Sequence, residues 1–348
     1  MGDLPFVSII IPSRNEKKFI GKCLDSIIAQ YYPKDKIEVI VVDGMSEDKT
    51  REIIKKYVEH YSFIKMLNNP RKIVPAALNI GIQHAKGEII IRMDAHTVYN
   101  NDYVQKCVEY LLKYNIDNVG GIWKTRPGED SVIARSIAFA LSHPFGVGNS
   151  HFRIGSSKPR LVDTVPFGCY RKEIFNEIGY FNENLVRNQD IEFNRRLKKA
   201  GKKTLLAPDI ISYYYARSTL KNLAKNNLWN GFWVIYSNRF ASMPFSARHL
   251  VPFIFILILI SSFALSFFSE LYLYTFILSA VTYLTVNSFF SLYISLKHGI
   301  KYLVPIICAF SILHLSYGIG SLWGLIKLAS SYRYGLIIKK IYESLLFL

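Results

Sequence analysis

Apolar residues along the first third of the chain fall into two alternating patterns. Short continuous runs at Val7 to Ile11 and Ile37 to Val42 read as buried strands, Phe63 to Leu67 as a third strand, and Glu88 to Met93 as a fourth in which Ile89 to Ile91 are buried on both faces. Between them apolar positions recur at helical spacing. Phe19, Ile20, Cys23, Leu24, Ile27 and Ile28 make one stripe that stops before Pro33; Ile53, Ile54, Tyr57, Val58 and Tyr61 make another. Residues 76–85 and the stripe Val104, Cys107, Val108, Leu111 and Leu112 complete the series. This order predicts an α/β domain with a doubly wound, Rossmann-like, mostly parallel sheet that binds ligands at the carboxyl ends of its strands.

From 117 to 216 the alternation fails. Gly120-Gly121, Pro127-Gly128, Pro144, the Gly146 to Gly148 turn and Pro159 predict long loops. One helix is legible near residue 190, with Phe193, Leu197 and Ala200 as its buried stripe and Gly201 as its stop. Residues 217–249 then mix Lys221, Lys225, Arg239 and Arg248 with Trp229, Phe232, Trp233 and Tyr236, the composition of amphipathic helices in a membrane interface or on an ordinary surface.

Beyond them, 251–269, 271–296 and 302–326 each reach the roughly 20 residues of a transmembrane helix. The chain therefore divides into a domain at 1–216, interface helices at 217–249 and a membrane region with a basic tail at 250–348. Arg239, Arg248, Lys297 and Lys301 put both flanks of the first two spans in the cytosol. Lys327, Arg333, Lys339 and Lys340 favour the same side, so 302–326 is expected to enter and leave there, helped by Pro305, Gly318, Gly320 and Gly324. The expected setting is the plasma membrane, crossed several times, with the first domain cytosolic.

Composition narrows the partners. Lys and Arg total 43 against 26 Asp and Glu, a net charge of +17 that suits nucleic acid, an anionic membrane or phosphate-bearing substrates. The apolar final third selects the membrane over nucleic acid. Cys23, Cys107, Cys169 and Cys308 are scattered without zinc spacing, as expected of reduced core thiols. No G-x-G-x-x-G follows a strand, which excludes the dinucleotide fingerprint, and the glycines at 318, 320 and 324 suit close helix packing.

The unusual polar residues fall at strand ends: Pro12-Ser13-Arg14-Asn15-Glu16, Asp43-Gly44-Met45-Ser46-Glu47-Asp48-Lys49-Thr50, and Asp94-Ala95-His96. Ser46 or Asp48 also suits the cap of the next helix. In extended backbone Asp94 and His96 point to one side, and a carboxylate beside an imidazole suits Mn²⁺ or Mg²⁺ held partly by substrate phosphates. The same spacing also fits an N-capping Asp followed by a surface His. Asp190 lies three residues before Phe193, in the first helical turn and facing inward, where the helix dipole keeps a carboxylate ionised. That suits a general base, or an Asp serving the helix alone.

These motifs together with Val7-Ser8-Ile9-Ile10-Ile11-Pro12, Ala77-Leu78-Asn79-x-Gly81 and Asn188-Gln189-Asp190 resemble the family 2 glycosyltransferases of the GT-A fold over residues 7–216. Arg92-Met93-Asp94-Ala95-His96, Val162 to Gly168 and Arg248-His249-Leu250-Val251-Pro252 resemble its succinoglycan ExoA-type subgroup. The resemblance implies a nucleotide-sugar site of Pro12, Arg14, Glu16, Asp43 and Asp94, a divalent metal (Mn²⁺ or Mg²⁺) on Asp94 and His96, and Asp190 as catalytic base. Arg171, Arg187 and Gln189 are candidate phosphate or acceptor contacts. His96 departs from the Asp found in most of the family. The implied reaction is inverting transfer of a hexose, glucose from UDP-glucose, to a polyprenyl-diphosphate-linked saccharide. The alternatives are a polyprenyl-phosphate hexose synthase and a non-catalytic, membrane-anchored sugar-nucleotide binding module.

Overall fold

The structure, a computed structural model, describes residues 4–241 and 247–346, with residues 247–248 and 331–346 described by backbone alone. Its chain forms two compact units, Met1–Arg126 with Ser150–Tyr215 and Pro127–Asn149 with Ala216–Leu348.

The first unit opens with four strand–helix pairs: β1 (Val7–Ser13), α1 (Ile20–Ile28), β2 (Ile37–Asp43), α2 (Thr50–His60), β3 (Ile64–Asn68), α3 (Val74–His84), β4 (Ile89–Arg92) and, after the short β5 (Thr97–Tyr99), α4 (Tyr103–Lys113). Strands β1, β2 and β4 are mostly apolar because both their faces are covered, while β3, at the edge of the sheet, is buried only at Ile64. Ile9, Ile11 and Ile91 pack with Cys23, Leu24 and Ile27 of α1 and Val104 and Val108 of α4. Ile10, Ile40 and Ile90 turn to the other face, against Ala77 and Leu78 of α3. A Cβ at Gly81 would overlap Ile10, so α3 lies on the sheet only because that position has no side chain.

The chain continues through β6 (Asn118–Arg126), α5 (Val132–Leu141), α6 (Pro144–Val147), α7 (His151–Ile154), β7 (Arg160–Leu161), β8 (Cys169–Arg171), α8 (Glu173–Ile178), α9 (Gln189–Lys199) and β9 (Thr204–Tyr215). The sheet order is β3-β2-β1-β4-β8-β6-β9-β5, with β7 on β9. Strands β3 to β4 are parallel; β8 runs antiparallel to both β4 and β6, so the sheet is mixed. In α9, Phe193 and Leu197 are buried as expected, but Ala200 is exposed, because the helix has ended and Ala200 is its C-cap.

Two expectations are corrected in the second unit. Residues 127–149, expected as loop, carry α5 and α6 and belong with the C-terminal helices, which cover the small apolar face of α5. Those helices are α10 (Leu220–Tyr236), α11 (Ala247–Leu265), α12 (Glu270–His298) and α13 (Leu303–Leu346). The segment expected to turn back at 302–326 is instead part of one uninterrupted helix. Pro305 falls in its first turn, where an N–H has no intrahelical partner to lose. Gly318, Gly320 and Gly324 do not bend it: a Cβ at each would overlap the carbonyl oxygen of Pro252, Leu228 or Phe232.

Glu270–His298 and Ile300–Ser330 are long and apolar enough to cross a membrane, and α11, over the first expected span, is a shorter apolar helix. Helix α12 is apolar outside and polar inside. Leu278, Val281, Leu284, Phe289 and Leu296 are exposed, whereas Asn287, Ser291 and Ser295 are fully buried. Asn287 donates to the Ile307 carbonyl at 3.2 Å and the Ser311 hydroxyl at 3.0 Å, and accepts from Ser291 at 3.1 Å. An inverted helix of this kind is at home in hydrocarbon, where polar groups must find partners on other helices.

Candidate active site

Register sets the site. Ser13 pairs with Asp43 and Asp43 with Asn68, so three parallel strands end on one level, and β4 ends beside them at Arg92. A cavity of about 190 Å³ opens there, lined by residues of the β1, β2, β3 and β4 ends and by Gln189, the first residue of α9.

Its walls are two loops joined by side chains. Asp43 is fully buried; its Oδ1 accepts from the Ser46 hydroxyl at 2.6 Å, and its Oδ2 from the Ser46 N–H at 3.0 Å and from Arg51 at 2.5 Å. Ser46 Oγ accepts the Asn15 N–H at 2.9 Å, Asn15 Oδ1 accepts the Glu47 N–H at 2.9 Å, and Thr50 Oγ1 accepts the Glu16 N–H at 2.7 Å. Asp48 accepts the Thr50 N–H at the start of α2 and the Lys17 N–H, the capping role the sequence allowed it. The spaced Asp, Ser, Asp and Thr of the second loop thus build the wall that presents Arg14 and Glu16. Asn15, Met45, Lys72 and Asn188, all on loops at the cavity, have positive φ; Met and Lys rarely adopt it, a mark of backbone held by its surroundings.

The charged groups inside are ordered in pairs. The Asp94 carboxylate takes Arg92 Nη2 at 3.1 Å, and Arg92 Nη1 lies 4.0 Å from Asp190 Oδ2. Burial opposes the charge of Arg92, but Asp94 and then Asp190 outweigh it and push its pKa up, so it stays a cation. His96 Nδ1 sits 3.2 Å from Glu16 Oε1, and its ring meets Tyr214 edge-on at 5.5 Å.

The backbone between Asp94 and His96 is not extended as the spacing suggested. Thr97 N–H bonds back to the Asp94 carbonyl at 3.2 Å, making a turn, so the two side chains enter the cavity from different directions, one toward Arg92 and the other toward Glu16.

Of the residues singled out from sequence, Pro12, Arg14, Glu16, Asp94, His96 and Gln189 share this cavity. Asp43 stands behind its wall with both oxygens engaged. Asp190 stands beside it, its Oδ1 accepting the Ile191 N–H at 3.0 Å and its side chain 37% exposed. Arg171 is elsewhere: it pairs with Ile89 at the amino end of β4 and donates to Asn115 at 3.3 Å, so it falls on the rim opposite the cavity. Arg187 is half-buried in the loop before α9 and is not among the lining residues. Arg92 and Lys72 line the cavity and were missed. The signal for Arg92 was a charge closing an otherwise apolar strand; Lys72 carried none.

A parallel half-sheet ending in a polar cavity, continued through the antiparallel β8 into a mixed sheet, is the arrangement of the GT-A fold. A family model described as Glycosyl transferase family 2 matches residues 8–179. A Methanococcus voltae protein named dolichyl N-acetyl-alpha-D-glucosaminyl phosphate 3-beta-D-2,3-diacetamido-2,3-dideoxy-beta-D-glucuronosyltransferase is 33% identical over 65% of this chain and 72% of its own. The succinoglycan biosynthesis protein ExoA of Rhizobium meliloti is 30% identical over 61% of this chain and 64% of its own. Among solved structures, a mannosyltransferase from Pyrobaculum calidifontis in complex with GDP-Man and Mn²⁺ superposes with a TM-score of 0.56 at 17% identity, over 92% of this chain and 88% of that one, which establishes the fold. The chain belongs to glycosyl transferase family 2 and is a glycosyltransferase.

Proposed function

We propose that this enzyme transfers a hexose from a nucleotide sugar, glucose from UDP-glucose on the subgroup resemblance, to a saccharide carried on a polyprenyl diphosphate, with inversion. The observation that carries this reading is the single cavity holding Pro12, Arg14, Glu16, Asp94 and His96, with the Asp190 carboxylate at its side. Pro12, Arg14 and Glu16 take the base and ribose, and Asp43 holds the wall that places them. Asp190 Oδ2 accepts the proton of the acceptor hydroxyl as its oxygen bonds to the anomeric carbon. The carbon–oxygen bond to the diphosphate breaks and the nucleoside diphosphate leaves with the electron pair. Gln189, which begins α9 and lines the cavity, meets the acceptor or the departing phosphates.

A divalent cation fits the donors present. Among the described residues no group of three or more His, Cys, Asp or Glu is arranged to hold an ion alone. Asp94 and His96 would supply one oxygen and one nitrogen, and diphosphate oxygens the rest, as Mg²⁺ and Mn²⁺ commonly accept. Held there, the cation would supply positive charge at the leaving diphosphate.

The lipid-linked acceptor rests on the outward-apolar α12 and on the Methanococcus relative, whose name places its action on a dolichyl-linked sugar phosphate. The helices anchor the enzyme in the plasma membrane, with the cavity on the cytosolic side, where nucleotide sugars are found. Membranes containing the enzyme, incubated with a panel of labelled nucleotide sugars and extracted with organic solvent, test this reading. Label in a lipid-linked saccharide lengthened by one sugar is expected. Label confined to water-soluble product, or to a lipid phosphate bearing a single sugar, would overturn it.

A further inference from the structure

Arg92 is the only charged residue of β4, and its side chain is 14% exposed. The guanidinium faces carboxylates from two different elements: Asp94, on the turn after β4, and Asp190, in the first turn of α9. Two carboxylates sharing one partly buried space repel, and relieve the repulsion by swinging apart. A planar fork with donors at fixed angles can hold both at a set separation, which the point charge of a Lys cannot.

Given the reading of Asp190 as base and Asp94 as the carboxylate on the diphosphate side, the geometry points to Arg92 as a positioning residue that fixes the base relative to the donor. Two consequences have opposite signs. Arg92 keeps Asp190 aimed, so removing it slows the attack. It also engages Asp94, so removing it frees a carboxylate for a cation. A residue that merely supported the fold would lower activity and cation binding together.

The test uses the full chain in detergent, with Arg92→Met and Arg92→Lys beside Asp190→Asn. Mn²⁺ binding is read directly from the loss of the free-ion EPR signal, and turnover and donor KM from product formation. Arg92→Met is expected to bind Mn²⁺ about threefold or more tighter while kcat falls about 30-fold or more and donor KM moves little, as for a loss confined to the transition state. Arg92→Lys should recover part of kcat, which also shows that the fold survives. Arg92→Met/Asp190→Asn should be no slower than Asp190→Asn alone, because the first residue acts through the second. Unchanged kcat in Arg92→Met, weaker Mn²⁺ binding, or full additivity in the double variant each overturns the proposal. If Asp190→Asn costs turnover and Arg92→Met does not, only the positioning role fails; a silent Asp190→Asn removes the base assignment and the role of Arg92 with it.

Discussion

Ser46 Oγ accepts the backbone N–H of Asn15 at 2.9 Å, and through that bond the loop after β2 holds the loop after β1. The same hydroxyl donates to Asp43 at 2.6 Å. Asp43 therefore reaches the cavity through Ser46, and the adjoining Arg14 and Glu16 are presented by backbone that Ser46 and Thr50 fix.

Ser46→Ala removes both bonds without adding bulk. Each is worth on the order of 1 kcal/mol, so with both lost nucleotide affinity is expected to fall by up to about 30-fold with little change in kcat. Calorimetric titration of the nucleoside diphosphate measures it; an unchanged Kd would mean that the wall stands without Ser46.

Asp190→Asn keeps the side-chain oxygen that accepts the Ile191 N–H but cannot take a proton at neutral pH. Nucleotide binding should survive, while turnover falls by roughly 10² to 10⁴, the usual contribution of general base catalysis. Steady-state rates with a lipid-linked saccharide decide this, and wild-type turnover would remove Asp190 from the chemistry.

How far the site was legible depends on what each residue's role rests on. Alternation of apolar runs and helical stripes located β1 to β4, because burial on both faces leaves a local trace in sequence. The cluster Pro12, Arg14, Glu16, Asp94, His96 was legible for the same reason, since strand ends mark the rim. Arg92 was only partly so, because its contact with Asp190 comes from a residue far away in sequence, Lys72 reaches the cavity without any local mark, and Arg171 was misplaced because nothing local showed that β8 runs antiparallel to β4. Helix α5 was hidden by the glycines and prolines flanking it; its ten residues, all small or apolar except Arg135, form a helix there because other helices cover its buried side.

His96→Ala tests the cation reading. If the imidazole is a ligand, the Mn²⁺ concentration for half-activity should rise about tenfold or more, while the unfolding temperature stays near wild type, because a side chain at the rim contributes little to the core. His96→Asp should restore binding and shift preference toward Mg²⁺, a harder ion that favours oxygen. A cation requirement unaltered in both variants would leave Asp94 alone as the protein ligand.

Glu38 lies on β2 at the end of the sheet away from the cavity and gives the fold a definite acid limb. Burial raises its pKa, but Lys65 at 2.8 Å, the Lys86 N–H and the Ser8 hydroxyl outweigh it and hold the carboxyl below its ordinary 4.5. A depressed folded-state pKa means stability that is complete above the unfolded value and lost as pH falls from about 4.5 through the folded value. Glu38→Gln should be less stable than wild type at neutral pH, with the two unfolding curves converging in acid. Curves that stay parallel from neutral pH to pH 3 would show that Glu38 is not the group involved.

The second unit makes the last prediction, at Gly320. A Cβ there would overlap the Leu228 carbonyl oxygen, and one at Gly231 the Tyr317 carbonyl oxygen, so α10 and α13 touch backbone to backbone. Around that line Asn227 donates to the Leu313 carbonyl at 2.8 Å, and Trp323 packs on Phe232 at 4.6 Å and Trp229 at 5.2 Å. Small residues that let helices approach this closely are how helices associate where lipid supplies no hydrophobic drive. Gly320→Val must push the helices apart, breaking the Asn227 bond and loosening the indole contacts, for a cost of about 1 to 3 kcal/mol or more. Ile319→Val, beside it at a half-exposed position, is the control. The unfolding temperature in detergent, followed by tryptophan fluorescence, should drop by several degrees for Gly320→Val and hold for Ile319→Val. Equal temperatures for the two would mean that α10 is held to α13 by something other than this close approach.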